Sequence, residues 1–81
     1  MRVKVVLFAR AREAYGEGRA ILDLPPSGTA RDCFEALTQK APALEKLRSS
    51  LLIAINERYG DWDGPLTDGD EVAFIPPVSG G

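Results

Sequence analysis

Residues 2–8 read RVKVVLF, with Val3, Val5 and Leu7 on one side of an alternating pattern and Val6 and Phe8 on the other. Period-two spacing of β-branched residues predicts a strand, and apolar side chains on both faces predict one inside a sheet. Residues 9–15 (ARAREAY) are good helix formers that stop at Gly16, which predicts a short helix and then a turn over Gly16-Glu17-Gly18. Alternation returns in RAILDL, residues 19–24, where Ala20, Leu22 and Leu24 share a face, and Pro25-Pro26-Ser27-Gly28 ends this second strand. Thr29, with Asp32 three residues later, has the form of a capping box with Asp in place of Glu. The main helix follows. Ala30, Cys33, Phe34, Leu37 and Ala41 make its apolar stripe, and Arg31, Glu35, Thr38, Gln39 and Lys40 take the other face.

Pro42 disfavours helix at Ala41, while residues 43–50 can add a further helical turn with Leu44 and Leu47 facing in. Residues 51–59 (LLIAINERY) predict a third strand with Ile53 and Ile55 on one face, and a brief edge strand is expected near residues 59–63. Leu66–Asp70 predicts a tight turn in which Asp68-Gly69 suits a position of positive φ. EVAFI, residues 71–75, is the last strand. The order strand, short helix, strand, helix, strand, turn, strand predicts an α+β domain, a mixed sheet with one main helix packed across it. The first and last strands are the most apolar and are expected side by side at the centre. That arrangement is the β-grasp, the ubiquitin-like fold. The expected division is a β-grasp domain over residues 1–75 and an extended, flexible C-terminal tail over residues 76–81.

Composition narrows the chemistry. The chain has 81 residues, one cysteine and no histidine. A disulfide within the chain, a conventional zinc site and Ser-His-Asp or Cys-His catalysis are therefore excluded. Ten basic against 12 acidic residues give no overall basic footprint for nucleic acid. No window approaches the roughly 20 apolar residues of a membrane helix. No signal-peptide pattern is present, so a cytoplasmic protein is expected. Any chemistry is expected to need a partner.

The remaining candidate is the tail, Pro76-Pro77-Val78-Ser79-Gly80-Gly81. Two prolines fix φ, donate no ladder hydrogen bond and favour an extended exit. Six extended residues reach roughly 20 Å. Gly80 and Gly81 carry no side chain and can enter a narrow channel, delivering a carboxylate at its end. Adenylation makes that carboxylate electrophilic, and a sulfur nucleophile can then displace AMP and leave a thiocarboxylate on Gly81. Two terminal glycines alone are also what a frayed end looks like. The apolar strand and the Pro-Pro stop before them favour the reactive reading.

VVLFARAREAYG near the start and LIAINERY followed by PLTDGDEVAFIPPVSGG near the end resemble the small, sulfur-carrying subunit of molybdopterin synthase. The resemblance spans nearly the whole chain, with residues 17–50 similar in pattern only. It implies that an E1-like enzyme adenylates Gly81 with ATP and that a sulfur donor system converts it to the thiocarboxylate. It further implies that Pro76, Pro77, Val78, Ser79 and Gly80 insert into the large synthase subunit. There two successive carriers would supply the dithiolene sulfurs of molybdopterin from cyclic pyranopterin monophosphate, for molybdenum cofactor biosynthesis. The carrier itself is then non-catalytic, binds no cofactor or metal, and sits at each end of a large-subunit dimer in a heterotetramer. Alternatives are a carrier of the same fold for thiamin thiazole synthesis, a ubiquitin-like protein modifier, and an interaction module with an inert tail.

Other residues admit two readings each. Cys33 lies on the apolar helix stripe, as a packing residue would, against a redox role. Phe8 and Phe74 are candidates for the core or for a partner interface, and the interface assignment is made for both. Arg12 joins that interface as a contact for partner or tail, or else balances Glu13. Trp62 covers the core edge or anchors a partner. Asp68 and Asp70 flank a turn glycine, which favours a structural role over a metal.

Overall fold

In the computed structural model, the structure describes residues 1–77. The elements are β1 (Arg2–Leu7), α1 (Ala9–Tyr15), β2 (Arg19–Asp23), α2 (Ala30–Lys40), a 3₁₀ segment (Pro42–Ser50), β3 (Leu52–Ile55), β4 (Arg58–Gly60) and β5 (Glu71–Ile75). The strands form one five-stranded sheet in the order β2-β1-β5-β3-β4. β1 and β5 pair in parallel at its centre, Leu7 opposite Phe74, and the other pairings are antiparallel. This mixed sheet with one main helix is the expected β-grasp.

Local chemistry accounts for the elements. Thr29 Oγ1 accepts from the Asp32 amide at 3.3 Å and the Asp32 carboxylate accepts from the Thr29 amide at 2.9 Å, a complete capping box. Gly16 ends α1 with φ 98°, a left-handed conformation that glycine adopts without strain. The predicted third strand is broken in two. Asn56 and Glu57 take φ of 51° and 69°, a two-residue turn with both positions left-handed, so residues 52–60 form a hairpin. Asn56 tolerates this because its side chain is held: it donates to Asp70 at 2.9 Å and accepts from the Glu71 amide at 3.0 Å. The edge strand accordingly lies at Arg58–Gly60, overlapping the first residues of the place expected from sequence.

The core lies between the sheet and α2. Val3, Val5, Leu7, Ile53, Val72 and Phe74 come up from the sheet and meet Ala30, Cys33, Phe34 and Leu37 from α2. Leu44 from the 3₁₀ segment is fully buried beside them, as expected, with Leu47 partly so. Phe34, Phe74 and Trp62 form an aromatic cluster with centroids 5.2–6.0 Å apart. The Arg48 guanidinium lies 4.8 Å from the Phe34 ring and pairs with Glu35 and Glu45, tying the 3₁₀ segment to α2. Arg31 bonds Asp63 at 2.9 Å and its amide reaches the Trp62 carbonyl at 2.8 Å, so the loop with Trp62 is fastened over the core edge. Trp62 is half-buried there, which is the covering role. Among the described residues, no helix is long and apolar enough to cross a membrane.

Asp70 organises the opposite end of β5. Its carboxylate accepts from the Thr67 amide at 2.8 Å, the Thr67 hydroxyl at 3.0 Å and Asn56. The Thr67 amide, and then Asn56, hold its carboxyl below the usual carboxylate range. A lowered folded value stabilises the fold above the unfolded pKa of about 3.9, and that contribution disappears as pH falls through the folded value. Asp70→Asn is therefore expected to lower unfolding free energy by about 1 kcal/mol at pH 7. The gap between the two proteins in urea titrations should close progressively below about pH 4.

Candidate functional site

The outer face of the sheet, opposite α2, is set by strand parity. Register places Val6, Ala73, Ala54 and Tyr59 in one row across β1, β5, β3 and β4. One step toward the end of β5, Phe8, Ile75 and Leu52 form a second row. Phe8 is 47%, Leu52 49% and Tyr59 77% exposed, so this end of the sheet presents large apolar side chains to solvent. Ala73 and Ala54 are small, and they floor a shallow hollow walled by Phe8, Tyr59 and Ile75 with Glu57 and Glu71 on its rim. The next row toward the start of β5, Lys4, Glu71 and Asn56, is polar and bounds the patch. Contiguous exposed apolar residues with a polar border mark an interaction surface.

The chain leaves the sheet at this same end. Pro76 and Pro77 follow Ile75 directly, beside Phe8, whose amide donates to the Phe74 carbonyl at 3.4 Å. Ala9 then takes φ 47° and turns the chain into α1. Pro76 is buried and Pro77 exposed. The residues assigned to insertion beyond them, Val78, Ser79 and Gly80, and Gly81, assigned as the reacting residue, lie outside the described residues.

The residues assigned to the partner interface separate. Phe8 stands in the exposed patch. Phe74 does not: it is fully buried between Phe34 and Trp62, because position 74 has the inward parity of Val72, and its assignment to the interface is corrected to the core. Arg12 is exposed, and its side chain lies over Gly18, where a Cβ would sit 3.4 Å from Arg12 Cδ. No ion pair among the described residues includes Arg12, so it is not balanced by Glu13 there. It lines a hollow with Phe8, Glu17 and Arg19 next to the patch.

Leu52, Tyr59 and Ile75 were not singled out from sequence. The available signal was parity: Leu52 alternates with the inward Ile53, and Ile75 with Phe74, so both are apolar residues at outward positions. Cys33 is wholly buried and burial pushes its thiol up to about 12, which leaves no thiolate for sulfur chemistry at neutral pH. Asp68 accepts from the Arg2 amide at 2.7 Å and Asp70 from Thr67, so both serve the turn. No group of three potential metal ligands occurs among the described residues.

The model of the ThiS family matches residues 5–81. The chain belongs to the ThiS family. It is 43% identical to the molybdopterin synthase sulfur carrier subunit of Escherichia coli (strain K12), over 98% of this chain and 99% of that one. The solution structure of small archaeal modifier protein 1 from Methanosarcina acetivorans is similar at TM-score 0.84, with 33% identity over 99% of this chain and 96% of that one. A chain from the protein–protein complex of subunits 1 and 2 of the molybdopterin-converting factor of Helicobacter pylori 26695 is similar at TM-score 0.71, with 27% identity and full coverage of both.

The two phenylalanines give a direct contrast. Phe74→Ala is expected to cost about 3–5 kcal/mol through the cavity it leaves, a large part of the stability of a small domain. Phe8→Ala is expected to cost about 1 kcal/mol or less. Denaturant titration of both variants checks the assignment, and equal losses would overturn it.

Proposed function

We propose that this chain is the sulfur carrier of molybdopterin synthase, with the C-terminal carboxylate of Gly81 as its reactive group. The observation that carries the reading is the placement of the Phe8, Leu52, Tyr59 and Ile75 patch at the root of the tail. A partner that docks on this patch receives the tail at the edge of its own footprint. The large synthase subunit is the partner for sulfur delivery, as the complex of the Helicobacter pylori subunits supports. An E1-like enzyme is the partner for activation. Both use the same face, so the carrier alternates between them rather than binding both together.

The chemistry divides accordingly. In the activating enzyme the Gly81 carboxylate attacks the α-phosphorus of ATP, releasing pyrophosphate and forming an acyl adenylate. Sulfide-level sulfur from the donor system attacks the acyl carbon, breaks its bond to the AMP oxygen and leaves the thiocarboxylate and free AMP. In the large subunit the thiocarboxylate sulfur forms a C–S bond to a side-chain carbon of cyclic pyranopterin monophosphate as a C–O bond at that carbon breaks, its oxygen leaving as water or, at the ester carbon, with the phosphate. Water then cleaves the acyl–sulfur bond, which returns the Gly81 carboxylate and leaves the sulfur on the pterin. Two carriers in succession complete the dithiolene, in a heterotetramer with one carrier at each end of a large-subunit dimer. The absence of histidine and the buried, protonated Cys33 agree with this division, because no side chain of the carrier is then needed for acid–base or sulfur chemistry.

A second reading, a protein modifier joined through Gly81 to a lysine amine, draws support from the similarity to small archaeal modifier protein 1. Both share activation and differ in acceptor. Intact mass of the chain after incubation with an E1-like enzyme, ATP and a sulfur source tests activation together with sulfur loading. A gain matching one oxygen replaced by sulfur, mapped to Gly81 and absent when Gly81 is deleted, is expected. An unchanged mass, with the enzyme active on its own carrier, would sink the carrier reading. Addition of the large subunit and cyclic pyranopterin monophosphate should then consume the thiocarboxylate. A ladder of isopeptide-linked species in extracts, lost with Gly81, would favour the modifier instead.

A further inference from the structure

β5 is the middle strand of five, so its end has hydrogen-bonding neighbours on both sides. On the β1 side the parallel ladder includes Lys4 N to Asp70 O at 2.9 Å and Phe8 N to Phe74 O at 3.4 Å. In this pattern the amides of residues 72, 74 and 76 aim at β1, and the next rung would run from residue 76 to the Phe8 carbonyl. Residue 76 is proline and has no N–H. The Phe8 carbonyl is taken instead by Ala11 N at 2.9 Å and Arg12 N at 3.3 Å, the first bonds of α1.

On the β3 side Asn56 N donates to Glu71 O at 2.8 Å, so 56/71 is a hydrogen-bonded pair. By alternation 54/73 and 52/75 are bonded pairs, 51/76 is not, and 50/77 would be the next. An amide at position 77 would therefore donate to the Ser50 carbonyl, and position 77 is also proline. Each proline removes the donor for one neighbour, and neither alone closes both sides. Burial stops at the same place: Pro76 continues the inward parity of Val72 and Phe74 and is buried, while Pro77 is exposed.

We propose that Pro76 and Pro77 are a two-sided stop on the central strand, and that they are positioning residues for the chemistry at Gly81. This rests on the carrier reading. Without the stop, residues 76 and 77 extend β5, the residue-76 amide sharing the Phe8 carbonyl with the first bonds of α1 and the residue-77 amide reaching the carbonyl of Ser50, the last residue of the 3₁₀ segment. The reach of the tail shortens by about 7 Å, and the chain is competent for insertion only in the fraction of molecules whose new rungs have opened. A partner that needs the open form then binds with an apparent affinity reduced by that fraction.

The test uses the full chain as Pro76→Ala, Pro77→Ala and the double variant, with amide hydrogen exchange and steady-state charging by an E1-like enzyme. Protection is expected at amide 76 in the first variant, at amide 77 in the second and at both in the double. KM for the double variant should rise about tenfold with kcat within about twofold, since saturating enzyme captures the open form. A merely structural role would lower thermal stability and leave no such split. Pro77→Ala removes an exposed ring, so it keeps the test open if loss of the buried Pro76 ring unfolds the other variants. Unprotected amides at 76 and 77 would overturn the stop, and protected amides with wild-type KM would overturn its positioning role. A wild-type chain that is never charged would sink the carrier reading and the positioning role together, while the exchange data still decide whether the stop exists.

Discussion

The parallel pairing of β1 with β5 is the contact on which the rest of the molecule depends. It joins the first strand of the chain to the last and buries Val3, Val5 and Leu7 in the same layer as Val72 and Phe74. Parallel strands cannot be joined by a tight turn, so everything between them must cross over. α2 is the main part of that crossover, and it supplies the Phe34 and Leu37 side chains that cover the two strands. The pairing also decides where chemistry can happen. Because the strands run the same way, the end of β1 and the end of β5 arrive together, and Phe8 stands where the chain departs.

The two faces of the sheet are treated differently. On the helix side Arg48 bridges Glu35 and Glu45 over the Phe34 ring, and Arg31 holds the Trp62 loop through Asp63. Exposed ion pairs contribute little singly, but here they hold aromatic cover over a small core. Among the described residues the outer face has no such cover. Its large apolar side chains remain at the surface because small alanines at positions 54 and 73 leave a hollow rather than a filled layer. A domain of this size has little stability to spare. An uncovered apolar face is therefore more readily understood as a surface kept for partners. A carrier needs only that face and a chain end, which is consistent with a protein that has no histidine and a buried thiol.

Much of this was legible in advance, for reasons that can be named. Thr29 and Asp32 are neighbours in sequence, so the capping box needed no tertiary information. The stripe of Ala30, Cys33, Phe34 and Leu37 repeats at helical spacing, and all four residues are buried. The strand over residues 51–59 reads as continuous because this stretch has no glycine or proline. The break at Asn56 and Glu57 depends on Asp70, fourteen residues away from Asn56, whose carboxylate holds the asparagine side chain. Phe8 and Phe74 were indistinguishable as aromatic residues on central strands. Their neighbours separate them: Phe74 alternates with Val72 toward the helix, while Phe8 follows the inward Leu7 and points to the other side.

The sequence by itself determined most of the elements, their order and the β-grasp class, because periodicity, caps and stop residues act over a few neighbouring positions. Tertiary structure alone decided which face of each strand turns to the helix, that Tyr59 and Leu52 join Phe8 in one patch, and that the patch lies beside Pro76 and Pro77, where the chain leaves the sheet. It also gave the two prolines distinct neighbours. These are properties of register between strands far apart in the chain, and register is set only when the whole sheet closes over its core.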